Sequence, residues 1–153
     1  MKIAIALGSN LGDRDAQMRG AIAVLLPVLS QLRVSSFYET EPVGVTGPQP
    51  MFLNAAAIGE SQLSAPAILD VLLAIEQGFG RDHPYQYAPR TLDLDLILYG
   101  ETIINPPDLT VPHPRFRERQ FVLEPLNEVA PDWIDPVTGQ TVAELWTALR
   151  HAP

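Results

Sequence analysis

Pro89-Arg90-Thr91-Leu92-Asp93-Leu94-Asp95-Leu96-Ile97-Leu98-Tyr99-Gly100 is the stretch on which the fold turns. From Leu92 to Leu98 apolar and polar residues alternate with a period of two, broken only at Ile97, which predicts a strand. Leu92, Leu94, Leu96 and Leu98 then face a core, while Thr91, Asp93 and Asp95 share the opposite face. Carboxylates at i and i+2 lie about 7 Å apart at their Cα atoms, close enough to repel. Asp is also a poor strand former. A bound cation answers both problems, and two hard oxygen donors on a rigid strand suit Mg²⁺ holding a substrate's phosphates. The alternative is the solvated polar face of an amphipathic strand. The strongly apolar segment behind the pair favours the metal reading.

Upstream of this strand, residues 2–8 read as a buried strand. Asp13 to about Leu29 reads as a helix whose apolar stripe holds Met18, Ala21, Ile22, Leu25, Leu26 and Leu29. Pro27 within it predicts a kink or an earlier end. Residues 31–39 alternate through Leu32, Val34 and Phe37 as a second strand. A loop rich in Pro and Gly follows from Glu41 to Pro50. Met51 to Gly59 is a third strand, able to pair antiparallel with the second. Ser64 caps a helix to about Gln77, with Ile68, Val71, Leu72 and Ile75 on its buried stripe. A second loop, Gly80 to Pro89, leads into the Asp-bearing strand.

The order strand, helix, strand, strand, helix, strand is the split βαβ arrangement of a ferredoxin-like α+β fold: an antiparallel sheet with helices on one face. Beyond Gly100 the sequence predicts a short hairpin arm at 102–104, a Pro-rich turn at 106–114 and a helix over 117–128. A final helix starts at Thr141, where Thr141 and Glu144 form a capping box. The two long loops and the C-terminal segment are expected to cross the other sheet face. The Asp93 and Asp95 face then becomes the floor of a cleft, with loops 40–50 and 80–89 as its lids.

At 153 residues and 46% hydrophobic content, residues 1–153 are expected to form one domain. The absence of cysteine excludes disulfides, thiolate metal sites and thiol nucleophiles. The apolar run at the N-terminus is too short for a signal peptide, and no run reaches the roughly 18 residues of a membrane span. A cytoplasmic protein is the expectation. A net charge of −8 argues against nucleic-acid and anionic-membrane partners, and the acidic composition favours a monomer. The cations are unevenly placed: five of the nine arginines (Arg81, Arg90, Arg115, Arg117, Arg119), with His83 and His113, fall between residues 81 and 119. Such a cluster around a paired-Asp strand suits a small polyanion, because the guanidinium fork binds phosphate oxygens in pairs. Solvated loop and helix arginines are the alternative.

The chain has no Gly-x-x-x-x-Gly-Lys-Ser/Thr phosphate loop and no Gly-x-Ser-x-Gly elbow. Gly8-Ser9-Asn10-Leu11-Gly12-Asp13 is not a dinucleotide fingerprint; it reads as a plain strand-to-helix turn, with a turn that helps form an anion site as the alternative. A nucleotide must then be held by arginines, histidine and metal. Phosphoryl-type transfer, which needs positioning and charge neutralisation above all, fits the residues present.

Four blocks resemble 6-hydroxymethyl-7,8-dihydropterin pyrophosphokinase, the folate-pathway family that transfers pyrophosphate from ATP to a pterin alcohol. They are Leu7 to Gly12, Ser36-Phe37-Tyr38-Glu39-Thr40 with Phe52 to Ala56, Pro89 to Asp95, and Val111 to Pro114 with Arg119 to Leu123. The resemblance spans residues 7 to about 130, and Pro-Arg-Thr-Leu-Asp-Leu-Asp is specific on its own. It implies two Mg²⁺ ions held by Asp93 and Asp95, with ATP and the pterin as small-molecule substrates. It implies that Glu76, Arg81, Arg90, His113 and Arg119 serve the nucleotide, with Arg81 and Arg90 counted beside the two Asp residues as catalytic. Asn54 then hydrogen-bonds the pterin edge, Phe52 and Phe121 stack on its ring, and groups around Thr40 and Val43 read its remaining heteroatoms. In the 80–89 lid the chain departs from the family pattern. His83 stands where a second arginine is common, Tyr87 replaces a tryptophan, Tyr85 is a further loop aromatic, and the loop is one residue shorter.

The implied reaction is attack of the pterin hydroxymethyl oxygen on the β-phosphorus of ATP, releasing AMP. Either Asp95 acts as base or the metal makes one unnecessary. A nucleotidyltransferase also uses an Asp-x-Asp pair, but with a Gly-Ser turn close before it; Gly8-Ser9 lies over eighty residues earlier. A glycosidase needs carboxylates flanking a bond from opposite sides. A ferredoxin-like binding module is the non-enzyme reading, and it predicts ligand binding without AMP.

Overall fold

The computed structural model describes residues 1–10, 12–41, 51–79, 92–106 and 109–152. Its elements are β1 (Lys2–Ser9), α1 (Arg14–Leu25), β2 (Ser30–Val34), β3 (Tyr38–Thr40), β4 (Phe52–Glu60), α2 (Ala65–Gly78), β5 (Asp93–Tyr99), a 3₁₀ turn (Phe116–Glu118), α3 (Gln120–Val129) and α4 (Val142–Arg150). The sheet order is β2-β4-β1-β5, with β3 also on β4, and every pairing is antiparallel. This is the expected ferredoxin-like α+β arrangement, the second strand being split into β2 and β3.

β1 is buried from Ile3 to Ser9, as befits a central strand, and its two faces feed two cores. Ile3, Ile5 and Leu7 pack with Leu53, Ala55 and Ala57 of β4 against Met18, Ala21 and Leu25 of α1 and Ile68, Leu72 and Ile75 of α2. Ala4 and Ala6 face the other way, with Ala56 and Ile58, against Val122, Leu126 and Val129 of α3 and Leu145 and Trp146 of α4. The C-terminal segment thus covers the second face as expected, and it does so as two packed helices. Alanines on that face let α3 approach the strands closely.

Several boundaries differ from the periodic reading. The first helix ends at Leu25 and passes into turn, since Pro27 has no N–H to continue it. The 31–39 strand breaks at Ser35. The Ser35 N–H donates to the Ala56 carbonyl, and its hydroxyl accepts from the Ala56 N–H (both 2.9 Å), so the chain stays tied to β4 while it bends. The 117–128 helix divides at Arg119, which is extended (φ −110°, ψ 105°), leaving the 3₁₀ turn before α3. The leucine parity of β5 also changes. Ile5 pairs with Leu96 but Ala4 with Leu98, so Ile97 is an extra residue. Ile97 and Leu98 therefore join the second core, away from Leu92, Leu94 and Leu96. The predicted hairpin arm is a single bridge between Ile104 and Val111.

Polar ties hold the edges in register. Glu128 of α3 accepts from the Ser36 N–H (2.9 Å) and hydroxyl (3.2 Å) and from the Tyr38 hydroxyl (2.5 Å). Burial pushes the Glu128 carboxyl up, but these donors outweigh it and hold it below the usual range; the same bond helps push the Tyr38 phenol up to about 12. Arg14 donates to Glu39 (2.7 Å) and to the Met51 carbonyl (2.8 Å), bringing together the strand ends on either side of residues 42–50. Among the described residues no helix is long and apolar enough to cross a membrane.

Candidate active site

α3 and α4 pack over Ala4, Ala56 and Ile58 on the second sheet face. At the other end, where β1 finishes, Gly8 pairs with Asn54 on one side and Asp93 on the other, and Ala6 pairs with Ala56 and Asp95. Partners in register share a face, so Gly8, Asn54, Asp93 and Asp95 look outward together. They floor a cleft of about 670 Å³. Thr40, Glu41 and Phe52 wall it from the β3 and β4 side; Arg115, Glu118, Arg119 and Phe121 wall it from the 3₁₀ turn and the start of α3.

The parity expected for Asp93 and Asp95 holds. Leu94 between them is buried, Asp93 is half-buried and Asp95 exposed. Glu76 is buried on α2. Its carboxylate accepts the Leu94 N–H at 2.7 Å, at the edge of β5 away from β1. That bond lies on the backbone between the two Asp residues and so sets the pitch of both.

Asn54 is 4% exposed, so its amide must be paired. The Nδ2 donates to the Thr40 hydroxyl across the β3–β4 pair. Gly8 makes room for it, because a Cβ at residue 8 would stand 3.1 Å from Asn54 Oδ1. Gly8 is therefore part of the strand floor, as the strand reading of residues 2–8 expects.

His113 is half-buried, with its backbone N–H on the Ile97 carbonyl at 3.1 Å. Its Nδ1 accepts the Arg115 N–H at 3.2 Å, which leaves the proton of the neutral ring on Nε2. Burial holds the imidazole below its usual range; Asp95 opposes this, and Arg119 and Arg115 add to it. The Arg119 guanidinium lies 5.6 Å from the centroid of Phe121, so the cation and the ring form one wall.

Of the sequence candidates, Thr40, Phe52, Asn54, Asp93, Asp95, Arg119 and Phe121 meet around one cleft, with His113 and Glu76 beside it. Val43, Arg81, His83, Tyr85, Tyr87 and Arg90 lie outside the described residues. The sequence reading assigned no site role to Glu41 or Glu118, and Arg115 entered it only as a member of the arginine cluster. Glu41 and Glu118 carried no signal beyond their proximity to Thr40 and Arg119.

Among the described residues no group of three or more His, Asp or Glu forms a metal cage. Mg²⁺ does not need one: it is commonly held by one or two carboxylates, its other positions filled by water and substrate phosphates. Asp93 and Asp95, hard donors on one strand face opposite arginines, fit that mode. Such a site brings the aromatic rings of Phe52 and Phe121, the Asn54 amide, two carboxylates and arginine guanidinium groups to one cleft.

The chain is similar to known proteins of one family. The family described as 7,8-dihydro-6-hydroxymethylpterin-pyrophosphokinase matches residues 4–131. A Synechocystis sp. 2-amino-4-hydroxy-6-hydroxymethyldihydropteridine pyrophosphokinase is 45% identical over 143 residues, covering 92% of this chain and 72% of that protein. The Bacillus subtilis protein of the same name is 43% identical over 127 residues, covering 82% and 75%. The wild-type Plasmodium falciparum HPPK-DHPS crystal structure superposes with a TM-score of 0.76 at 14% identity, over 95% of this chain and 44% of that one. The last likeness is one of fold, and this chain spans less than half of that longer protein.

Proposed function

Because the chain belongs to the 7,8-dihydro-6-hydroxymethylpterin-pyrophosphokinase family, a family of ATP-dependent diphosphotransferases in folate biosynthesis, we propose that this cleft is where pyrophosphate passes from ATP to the pterin. The observation that carries the reading is the common face shared by Asn54, Asp93 and Asp95, with Arg119 and Phe121 opposite.

The pterin ring lies between Phe52 and Phe121, where offset stacking adds to the burial of its faces. Asn54 pairs with its edge, oriented by Thr40, and backbone groups near Thr40 and Val43 complete the recognition. The ATP phosphates run from Asp93 and Asp95 toward His113 and Arg119, with Arg81 and Arg90 adding donors as the family motif implies. The hydroxymethyl oxygen forms a bond to the β-phosphorus, the bridge to the α-phosphorus breaks, and AMP leaves with that electron pair. The hydroxyl proton is released as the new bond forms. Asp93 and Asp95 would hold two Mg²⁺ ions, which when bound neutralise phosphate charge and lower the cost of bringing an oxygen nucleophile to it. Arg119 and the Nε2–H of His113 meet charge that grows on the phosphate oxygens.

The experiment is to mix the protein with ATP, Mg²⁺ and 6-hydroxymethyl-7,8-dihydropterin and separate the nucleotides. AMP and a pterin diphosphate, both lost without Mg²⁺, are expected. ADP would place the attack on the wrong phosphorus and overturn the proposal; ATP binding without any product would point to a binding module.

The floor geometry makes a second prediction. Gly8→Ala sets a methyl 3.1 Å from Asn54 Oδ1, a distance at which the amide must shift by a few tenths of an ångström. Displacing a recognition hydrogen bond weakens binding by about 1 kcal/mol, roughly a factor of 5. The KM for the pterin should rise by about that factor while the KM for ATP stays within twofold. An equal rise in both would mean that Gly8 supports the strand and not the pterin pocket.

A further inference from the structure

Asp135 lies in the hairpin between α3 and α4, and its side chain is fully buried (0% exposed). Its oxygens accept from Nε and Nη2 of Arg117 (the latter at 2.8 Å), from the Thr138 hydroxyl at 2.7 Å and from the Val137 N–H at 3.0 Å. Four donors fill the roughly four acceptor sites of a carboxylate. The hairpin that holds it is itself rigid. The Asp135 N–H donates to the Gln140 carbonyl and the Gly139 N–H to the Asp135 carbonyl (both 2.8 Å), and Ile134 bridges Thr141, the capping residue of α4. Asp135 is thus held by its hydrogen bonds in the hairpin and does not line the cleft.

Arg117 is the middle residue of the 3₁₀ turn, and its guanidinium lies 4.7 Å over the buried Phe116 ring. In a 3₁₀ turn residues i and i+3 eclipse, so Arg115 and Glu118, on either side of Arg117, share one direction, while Arg117 turns away from them to Asp135. Arg115, Glu118 and Arg119 line the cleft. A bidentate pair fixes direction as well as distance, so clamping Arg117 from behind fixes how its neighbours face forward. A buried ion pair contributes little net stability against an apolar pair of equal volume, and its better-attested use is to specify geometry.

We propose that Asp135, acting through Arg117, is a positioning residue that holds the Arg115–Arg119 wall where the ATP phosphates are received. The inference rests on the pyrophosphokinase reading for its ligand. It adds a pair 18 residues apart in the chain, neither member of which lines the cleft.

The test is Asp135→Asn in the full chain, assayed well below its melting temperature. The KM for ATP should rise about tenfold, with the KM for the pterin within twofold. Arg117→Lys, which keeps the charge and one donor but loses the parallel fork, should move the ATP KM the same way by a smaller factor, and it serves if Asp135→Asn does not fold. A merely structural role would lower the active fraction, reducing apparent kcat with both KM values unchanged; that result overturns the proposal. Equilibrium titration with a non-hydrolysable ATP analogue and Mg²⁺ separates this from failure of the reaction itself. Tenfold weaker binding by Asp135→Asn supports the anchor even if the wild type forms no AMP. Equal affinities, or no binding by the wild type, overturn it.

Discussion

Asp93→Ala lowers turnover by about 10³-fold or more and leaves the protein folded. A single group stabilising transition-state charge is worth about 10²–10³ in rate, and a proposed Mg²⁺ ligand removes both charge neutralisation and alignment when it is lost. Asp93 is half-buried at the start of β5 and belongs to neither core, so no apolar packing is lost with it. Its β1 partner is Gly8, which has no side chain to leave stranded. A substitution of this kind usually changes stability by about 0.5 kcal/mol, a shift of roughly 1–2 °C in a domain of this size. The check is AMP formation at saturating ATP and pterin, beside a thermal melt. Retention of more than a tenth of the wild-type rate would remove Asp93 from the metal site. A melting point lowered by 10 °C would mean that the residue holds the strand and would leave the rate uninterpretable.

Phe116→Ala produces the largest expected loss of stability. Phe116 is fully buried in the second core, between the 3₁₀ turn and the faces of α3 and α4. Truncation of a buried Phe costs about 3–5 kcal/mol, combining lost transfer energy with the cavity left behind. For a domain of this size that is roughly a 6–20 °C fall in melting temperature. The ring also supports the Arg117 guanidinium at 4.7 Å, so the cleft wall loosens with the core. Phe116→Leu, which refills most of the volume, should recover more than half of the loss. A fall of less than 1 kcal/mol in Phe116→Ala would mean that α3 and α4 close over the gap, and that the turn is not pinned by its aromatic residue.

How much of this was legible beforehand depended on the range of the interaction. The alternation around Asp93 and Asp95 placed both carboxylates on one face, and that face proved to be the open one. The stripe Ile68, Leu72, Ile75 needed only the helical period, and all three are buried. The Thr141 and Glu144 capping box needed only three residues of spacing, and both of its hydrogen bonds are present at 2.9 and 3.1 Å. Asn54 drew attention because an amide in an apolar strand must find a partner. Its partner, Thr40, was read from the family motif, and the bond between them required the β3–β4 register.

Other features left no local trace. The bulge at Ile97 reverses the sidedness of Leu98, and nothing in Leu-Ile-Leu says which residue will be the extra one; the register against Ala4 and Ile5 decides it. The break at Ser35 depends on Ala56, 21 residues away, and the hold on Ser36 and Tyr38 depends on Glu128, about 90 residues away. Arg117 read as one more member of a cationic cluster for phosphates. The structure turns it from the cleft to Asp135 and leaves Arg115 and Arg119 in front.

From residue order alone came the antiparallel ferredoxin-like sheet, the paired carboxylates and the family, because period, capping and motif are properties of neighbours in the chain. Assembly alone decided that the cover over the second face is two packed helices, that Gly8 opens space for Asn54, and that a buried ion pair aims the arginine wall. Those outcomes depend on which distant residues meet once the strands have taken their register, and the hydrophobic pattern constrains that register without specifying the polar contacts that complete it.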